Sequence, residues 1–388
     1  MKIAMLLDNP FTNDRRVHRE AKELTQAGHS VCIYCVKEKS LPNEEVIDGF
    51  QVKRVFPNHI AKFSAEKEIR EIALKIARED YQVFHCHDQF MCDAGAWIKK
   101  HDPSKVFVYD SHELFHAWPL NNLKGLPLSI LIKSYIVRKY QVLREKRNGR
   151  LADYLLTVNQ SLSDILFDYF RAKEKPVIIR NAPELEEIKN SVDLKSMYNI
   201  PASDKLLVFI GAHIYARTHN HEQVIDEIGN KEGLHLLYIT SFDKGCQDVQ
   251  DYVNANKIRN VHFHPAVKPA EITSYLSGAD IGLVPTWNKT NLSYWYALDN
   301  KLFEYTIAEI PVLATQQPEY MNILNHYKNG VCVNPDERGA YLQGMNEILA
   351  DYQNFKARAI AAKQEINWNA ERKKLVDLYI KIEADLHS

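Results

Sequence analysis

No stretch of this chain approaches the roughly 20 consecutive apolar residues that a membrane-spanning helix needs. The apolar opening reaches Asp8 too soon to be a secretory leader. Excess charge is missing as well. Lys and Arg number 49 against 50 Asp and Glu, a formal net charge of −1, so any pull toward nucleic acid or acidic lipid must be local. Cysteine pairs are scarce: the six cysteines stand at 32, 35, 86, 92, 246 and 332 in apolar surroundings. Cys32 and Cys35 fall inside a predicted strand, badly placed for zinc or redox chemistry, so reduced buried thiols of the cytosol are expected. Neither half opens with Gly-x-Gly-x-x-Gly after its first strand, and no Gly-x-x-x-x-Gly-Lys-Ser/Thr occurs. Both absences argue against dinucleotide oxidoreductases and P-loop NTPases.

What is present is a soluble globular composition, 45% hydrophobic and 26% charged over 388 residues, enough for two domains with separate cores. Residues 2–7 read as a strand. A loop follows, then a helix from about Asp14 with Val17, Ala21 and Leu24 at helical spacing and Gly28 as its stop. Residues 30–36 read as the next strand, completing a right-handed βαβ unit. The alternation continues through strands at 83–85, 106–109, 155–158 and 177–179. A second series has strands at 205–210, 235–240, 261–263, 281–284 and 312–314. Residues 181–204, with two prolines and many charges, read as the linker, and about 370–386 as a charged amphipathic helix. The pattern predicts two Rossmann-like, doubly wound α/β domains, with ligands at the carboxyl ends of their strands.

One segment stands out. Asn300-Lys301-Leu302-Phe303-Glu304-Tyr305 reads as the opening of a helix capped by Asp299 or Asn300. The run Ile310-Pro311-Val312-Leu313-Ala314-Thr315 after it reads as a buried parallel strand. A helix N-terminus suits a phosphate, Lys301 adds a full positive charge, and Glu304 can accept two hydroxyl hydrogen bonds. The competing reading is an ordinary amphipathic helix with Leu302 and Phe303 in the core.

Co-linear blocks carry a family resemblance. They are 14–21 (Asp-Arg-Arg-Val-His-Arg-Glu-Ala), 85–88 (His-Cys-His-Asp), 109–114 (Tyr-Asp-Ser-His-Glu-Leu), 157–159 (Thr-Val-Asn), 179–183 (Ile-Arg-Asn-Ala-Pro), 211–217, 277–285 and 300–305. Each is weakly specific; together and in order they resemble the GT-B glycosyltransferases, specifically the family 4 retaining enzymes of bacterial polysaccharide synthesis. The resemblance implies domains 1–183 for the acceptor and 184–369 for a nucleotide-diphosphate sugar, facing across a cleft, with 370–388 as a helix packing back on the first domain. It implies transfer with retention from a UDP- or GDP-linked donor to a glycan or polyprenyl-linked acceptor, as in lipopolysaccharide or capsule assembly. Enzymes of the other common glycosyltransferase fold hold a metal with Asp-x-Asp, which is nowhere in this sequence. Cationic side chains are therefore expected to carry the diphosphate, with no metal and no cofactor beyond the donor.

The residue roles follow from the same resemblance. Arg217 would grip the diphosphate, its planar fork matching phosphate, beside Gly211 and Lys301. Asn300, Leu302 and Glu304 would complete the donor grip, with Glu304 on the ribose and the backbone near Val267 beside the base. His112 would stand beside the donor sugar, polarising a hydroxyl or bearing developing charge. Asn13, Asp14, Arg16 and His87 would meet the acceptor, Asp14 chiefly as a helix cap. His85 and His87 share one strand face without a third metal ligand at usual spacing, and are expected to form a hydrogen-bonded pair.

Two departures stand against the family pattern. Tyr296 occupies the place of the usual first glutamate, and Ala212 that of a basic residue. They keep open a partner subunit without catalysis; a sugar-nucleotide epimerase is a further alternative. Residues 120–150 carry eight Lys and Arg against one acid, Glu145, among Leu and Ile. That pattern suits either an anionic inner membrane leaflet or a helix packed on the first sheet, and no nucleic-acid motif accompanies it. A cytoplasmic protein, peripheral on the inner face of the membrane, is the expectation.

Overall fold

The structure, a computed structural model, describes residues 1–12, 14–59, 65–118, 127–214 and 219–387. The first half supplies β1 (Lys2–Leu6), β2 (Ser30–Val36), β3 (Glu44–Ile47), β4 (Phe50–Phe56), β5 (Val83–His87), β6 (Val106–Ser111), β7 (Tyr154–Thr157) and β8 (Val177–Ile178). They form one sheet in the order β3-β4-β2-β1-β5-β6-β7-β8, parallel except for the β3–β4 pair. β1 from Ile3 onward and all of β5 are buried, as the inner strands of a parallel sheet are, with His85 and His87 of β5 as the polar exceptions. The chain leaves β1 toward β2 and returns on the other side as β5. Between these two strands the order reverses, the place where such sheets hold ligands.

Helix α1 (Arg15–Gln26) starts where the Asp14 carboxylate accepts the Val17 N–H at 3.1 Å. It buries Val17, Ala21 and Leu24 at three- and four-residue spacing. Gly28, at φ +92°, closes it and lets the His29 N–H reach the Leu24 carbonyl. The β3–β4 hairpin was not foreseen from the alternation. Its turn residues Asp48 and Gly49 have φ values of 47° and 91°, the paired positive angles of a type I′ turn. Helix α2 (Asp88–His101) follows β5 directly, and α3 (Leu128–Gly149) precedes β7.

The second sheet contains β9 (Lys205–Gly211), β10 (Leu234–Thr240), β11 (Val261–Pro265), β12 (Ile281–Val284), β13 (Val312–Thr315) and β14 (Gly330–Val333). All are parallel, in the order β11-β10-β9-β12-β13-β14, so the order reverses between β9 and β12. Alternate residues of β9 serve two cores. Leu206, Val208 and Ile210 face one with α4 (Asn300–Ile307), and Leu207 and Phe209 face the other. Leu302, Phe303 and Tyr305 of α4 are buried in the first of these.

Tyr305 does more than fill space. β9 and β12 pair only at Leu207–Ile281 and Val208–Gly282, then part. Into that opening Tyr305 sends its hydroxyl, which accepts the Ile210 N–H at 3.1 Å and donates to the Leu283 carbonyl at 3.0 Å. The ring lies so close that a Cβ on Gly282 would stand 2.2 Å from it. Helix α5 (Trp368–His387) ends the chain, and its residues from Glu371 onward group with Met1–Arg180 as one unit. The other unit is Asn181–Ala370.

Candidate functional site

At the reversal point of the first sheet, β1, β5 and β6 end side by side. The register pairs Leu6 with Cys86 and His87 with Asp110, so Asp8, Asp88 and His112 come out in a row at the carboxyl edge. His112 is clamped there. Its Nδ1 lies 3.2 Å from Asp88 and its Nε2 3.1 Å from Asp110. Asp88 also accepts the His112 backbone N–H, from a backbone at φ 63° that a non-glycine residue rarely takes.

Beneath lies a fully buried charge network. Arg16 donates from Nε and Nη2 to the two oxygens of Asp110, both at 3.0 Å, and from Nη1 to the Ile179 carbonyl. Its Nε is also 3.1 Å from Glu20, one turn along the same helix. The His85 and His87 rings stack 4.3 Å apart, and Tyr379 of α5 meets His85 Nδ1 at 2.9 Å.

Burial alone would raise the Asp110 carboxyl, but Arg16 and His112 outweigh it and hold it well below the usual carboxylate range. Burial likewise opposes a charge on His112, and Asp88 and Asp110 overcome it, raising the imidazole well above its ordinary value. His87 has burial and then His85 against it and is pushed down to about 4, so it is neutral. Asp8 is pushed up to about 7, first by burial and then by Asp88.

This arrangement corrects parts of the sequence reading. Arg16 and His87 were expected at the acceptor, but they are 6% and 2% exposed; Arg16 commits its guanidinium inside the network, while His87 turns Nδ1 toward Asp110 at 3.4 Å and leaves Nε2 buried with no hydrogen-bond partner among the described residues. His85 and His87 are a stacked pair, not a hydrogen-bonded one. Partners that spacing along the chain did not supply come from other elements: Glu20, His85, His87 and Asp110 each bring a ligand-type atom within 4.8 Å of the rest. The Arg16 guanidinium already lies against both carboxylates of that group. Asp14 caps α1 and also receives the Asn9 amide, while Asn13 lies outside the described residues.

In the second unit, Gly211 ends β9 and α4 begins after β12, both at the reversal point. Asp299 precedes α4, yet its carboxylate does not bond the helix amides. It takes Lys301 Nζ at 2.6 Å and Thr286 Oγ1 at 2.7 Å instead. Burial would raise this carboxyl, but Lys301 and then His219 pull it down to about 2. Lys301 also lies over the Phe209 ring at 5.3 Å. Its ammonium is therefore held at the mouth of the helix, with Asp299 as its counter-ion. Leu302 does not serve as expected, because its side chain is fully buried and its N–H bonds the Asp299 carbonyl at 3.1 Å. Glu304, one turn in, and Val267 are partly buried. Tyr296 ends the short helix Leu292–Trp295. Arg217 lies outside the described residues.

Sequence reasoning missed Asp8, Glu20, Asp88 and Asp110 as members of a site. The signal for the last two was present in the blocks at 85–88 and 109–114 once the strands they end are set side by side.

The arrangement offers fixed positive charge beside two strand reversals, one per unit. Comparison with known proteins agrees in both halves. Residues 14–187 match the family described as Glycosyltransferase Family 4, and residues 204–351 match Glycosyl transferases group 1. An uncharacterized glycosyltransferase of Methanocaldococcus jannaschii is 22% identical over 382 residues, covering 92% of this chain and 91% of its own. Among solved structures, sucrose-phosphate synthase of Thermosynechococcus elongatus has a TM-score of 0.78 at 16% identity, covering 99% of this chain and all of its own. HepE of Anabaena, solved with UDP, has a TM-score of 0.73 at 13% identity, covering 98% of this chain and all of its own. With two parallel-sheet units of this fold and a family match in each, the chain belongs to the family 4 GT-B glycosyltransferases and is a glycosyltransferase enzyme.

Proposed function

We propose that this enzyme moves a sugar, with retention and without a metal, from a UDP- or GDP-linked donor to a hydroxyl of a glycan or polyprenyl-linked acceptor in cell-surface polysaccharide synthesis. The observation that carries the donor assignment is the start of α4 at the reversal between β9 and β12, with Lys301 held at its mouth and Glu304 one turn in. A phosphate there meets a helix N-terminus and a cation together. The HepE structure with UDP-glucose supports a nucleotide-sugar as the ligand class. Freedom from metal is supported by the lack of any Asp-x-Asp pair, with Lys301 and Arg217 as the cations that receive the leaving diphosphate. In the reaction, the bond from the anomeric carbon to the phosphate oxygen breaks and the acceptor oxygen bonds that carbon on the same face. The hydroxyl proton departs with the diphosphate.

The acceptor is assigned to the first unit, and α3 supports a membrane-borne one. Leu128, Ile132, Ile136 and Leu143 are 71%, 51%, 60% and 65% exposed, and Lys133, Lys139 and Arg147 are exposed around them. The helix's one acid, Glu145, is buried against Tyr109 and pushed up to about 8 by burial. The exposed face is therefore apolar and cationic, suited to an anionic leaflet. No helix among the described residues is long and apolar enough to cross a membrane, so contact would be peripheral, on the cytoplasmic side.

Calorimetry and transfer assays with a panel of UDP- and GDP-sugars test the donor site. Lys301→Ala and Glu304→Ala should each weaken nucleotide binding by about tenfold or more, the worth of one charge-assisted contact. Unchanged affinity in both would refute the assignment.

A further inference from the structure

His112 is the one imidazole among those described in the first-unit network with a carboxylate oxygen within 3.2 Å of each ring nitrogen. A neutral imidazole has one N–H and one lone pair. Whichever tautomer it took here, its bare nitrogen would face a carboxylate lone pair at hydrogen-bond distance. With both carboxylates ionised, only the imidazolium, donating from both nitrogens, satisfies the geometry. The surroundings leave Asp110 little freedom to take the proton itself, because Arg16 bonds both its oxygens.

We propose that His112 acts as a fixed cation and not as a proton carrier, and that Arg16 is the positioning residue that keeps the Asp110 carboxylate aimed at it. The place of this charge in the reaction rests on the transferase reading above. On that reading the first unit presents a stationary positive charge at the carboxyl edge of its sheet, and both N–H groups stay committed and exchange no proton with a sugar hydroxyl.

The charged and titratable groups around His112 come from every neighbouring element. They are Asp8 beyond β1, Arg16 and Glu20 on α1, His85 and His87 on β5, Asp88 on α2 and Asp110 on β6. His87, 3.5 Å away, is held neutral, and its Nδ1 also lies 3.4 Å from the Asp110 carboxylate. Burial raises Glu20, against the pull of Arg16 3.1 Å away. Asp8 changes charge near pH 7, which alters the field at His112 without offering it a bond.

The test is nitrogen-15 NMR of the full chain with labelled histidine, the His112 signals assigned through His112→Gln. Both ring nitrogens should show the protonated shift, unchanged from about pH 6 to 8. A midpoint near 6.5, or a neutral tautomer, would overturn the proposal. This reading needs no donor or acceptor, so it stands or falls separately from the transferase assignment. Asp88→Asn should bring the midpoint down into the measured range, and so should Arg16→Lys, which keeps the charge but loses the two-pronged grip. An unchanged His112 in a folded Arg16→Lys protein refutes the positioning role; if that variant does not fold, Asp110→Asn reads the same link. In transfer assays His112→Arg should retain roughly tenfold more kcat than His112→Gln. Equal loss in the two would overturn the fixed-charge role.

Discussion

Replacing Tyr305 by Phe removes one oxygen atom and leaves the ring in place, so it isolates what the hydroxyl does. In the native protein that oxygen serves two backbone groups where β9 and β12 part, accepting from Ile210 N–H and donating to Leu283 C=O. All three residues are buried, at 7%, 0% and 0% exposure for Ile210, Leu283 and Tyr305. Without the hydroxyl both groups lack their hydrogen-bond partner away from water. A stranded buried polar group costs about 1–3 kcal/mol, so two together should cost about 2–6 kcal/mol. Chemical denaturation of the purified protein measures this as a lower midpoint with the slope unchanged. Because Tyr305 also ties α4 to the sheet, nucleotide affinity should fall with stability. A loss below about 0.5 kcal/mol, within the range of ordinary surface substitutions, would refute the reasoning and mean that the strand gap finds other partners.

Two further outcomes follow from the first unit. The Asp8 carboxyl rises from 3.8 to about 7, so the folded state binds its proton more tightly than the unfolded one, and ionising it costs stability across that window. Asp8→Asn should therefore stabilise the protein increasingly from pH 4 to 7 and by a constant amount above, as measured by urea unfolding at stepped pH; a pH-independent difference would contradict the assignment. The paired change Ile132→Glu and Ile136→Glu should cut binding to phosphatidylglycerol vesicles by roughly a hundredfold, since each buried aliphatic side chain is worth more than a factor of ten. Equal binding of the parent to neutral vesicles would instead remove the case for an anionic surface.

The strand–helix alternation was legible because parallel strands covered on both faces must be apolar runs, as Ile3–Leu6 and Val312–Thr315 are. The cap at Asp14 and the stop at Gly28 were legible for the same kind of reason: each satisfies a local backbone need. The hairpin at 44–56 had a readable signal in Asp48-Gly49, but its strands are partly exposed and lack the continuous apolar run. The Arg16 network could not be read from spacing. Arg16 and Glu20 look like a solvated pair on a helix, and only the β5–β6 register that pairs His87 with Asp110 brings them into one buried group. Asp299 looked like a cap because local propensity favours it there, but Lys301, two residues on, and Thr286, from the loop after β12, took its carboxylate instead.

The hydrogen bond from Tyr379 to His85 joins residues 294 positions apart. During synthesis the first sheet leaves the ribosome long before Tyr379 is made, and the whole of Asn181–Ala370 is translated in between. Until then the buried histidine pair lacks its phenol partner, so the first unit reaches its final form only after the second has been made. A fragment cut at Arg180 should express as a loosened protein, however complete its eight strands.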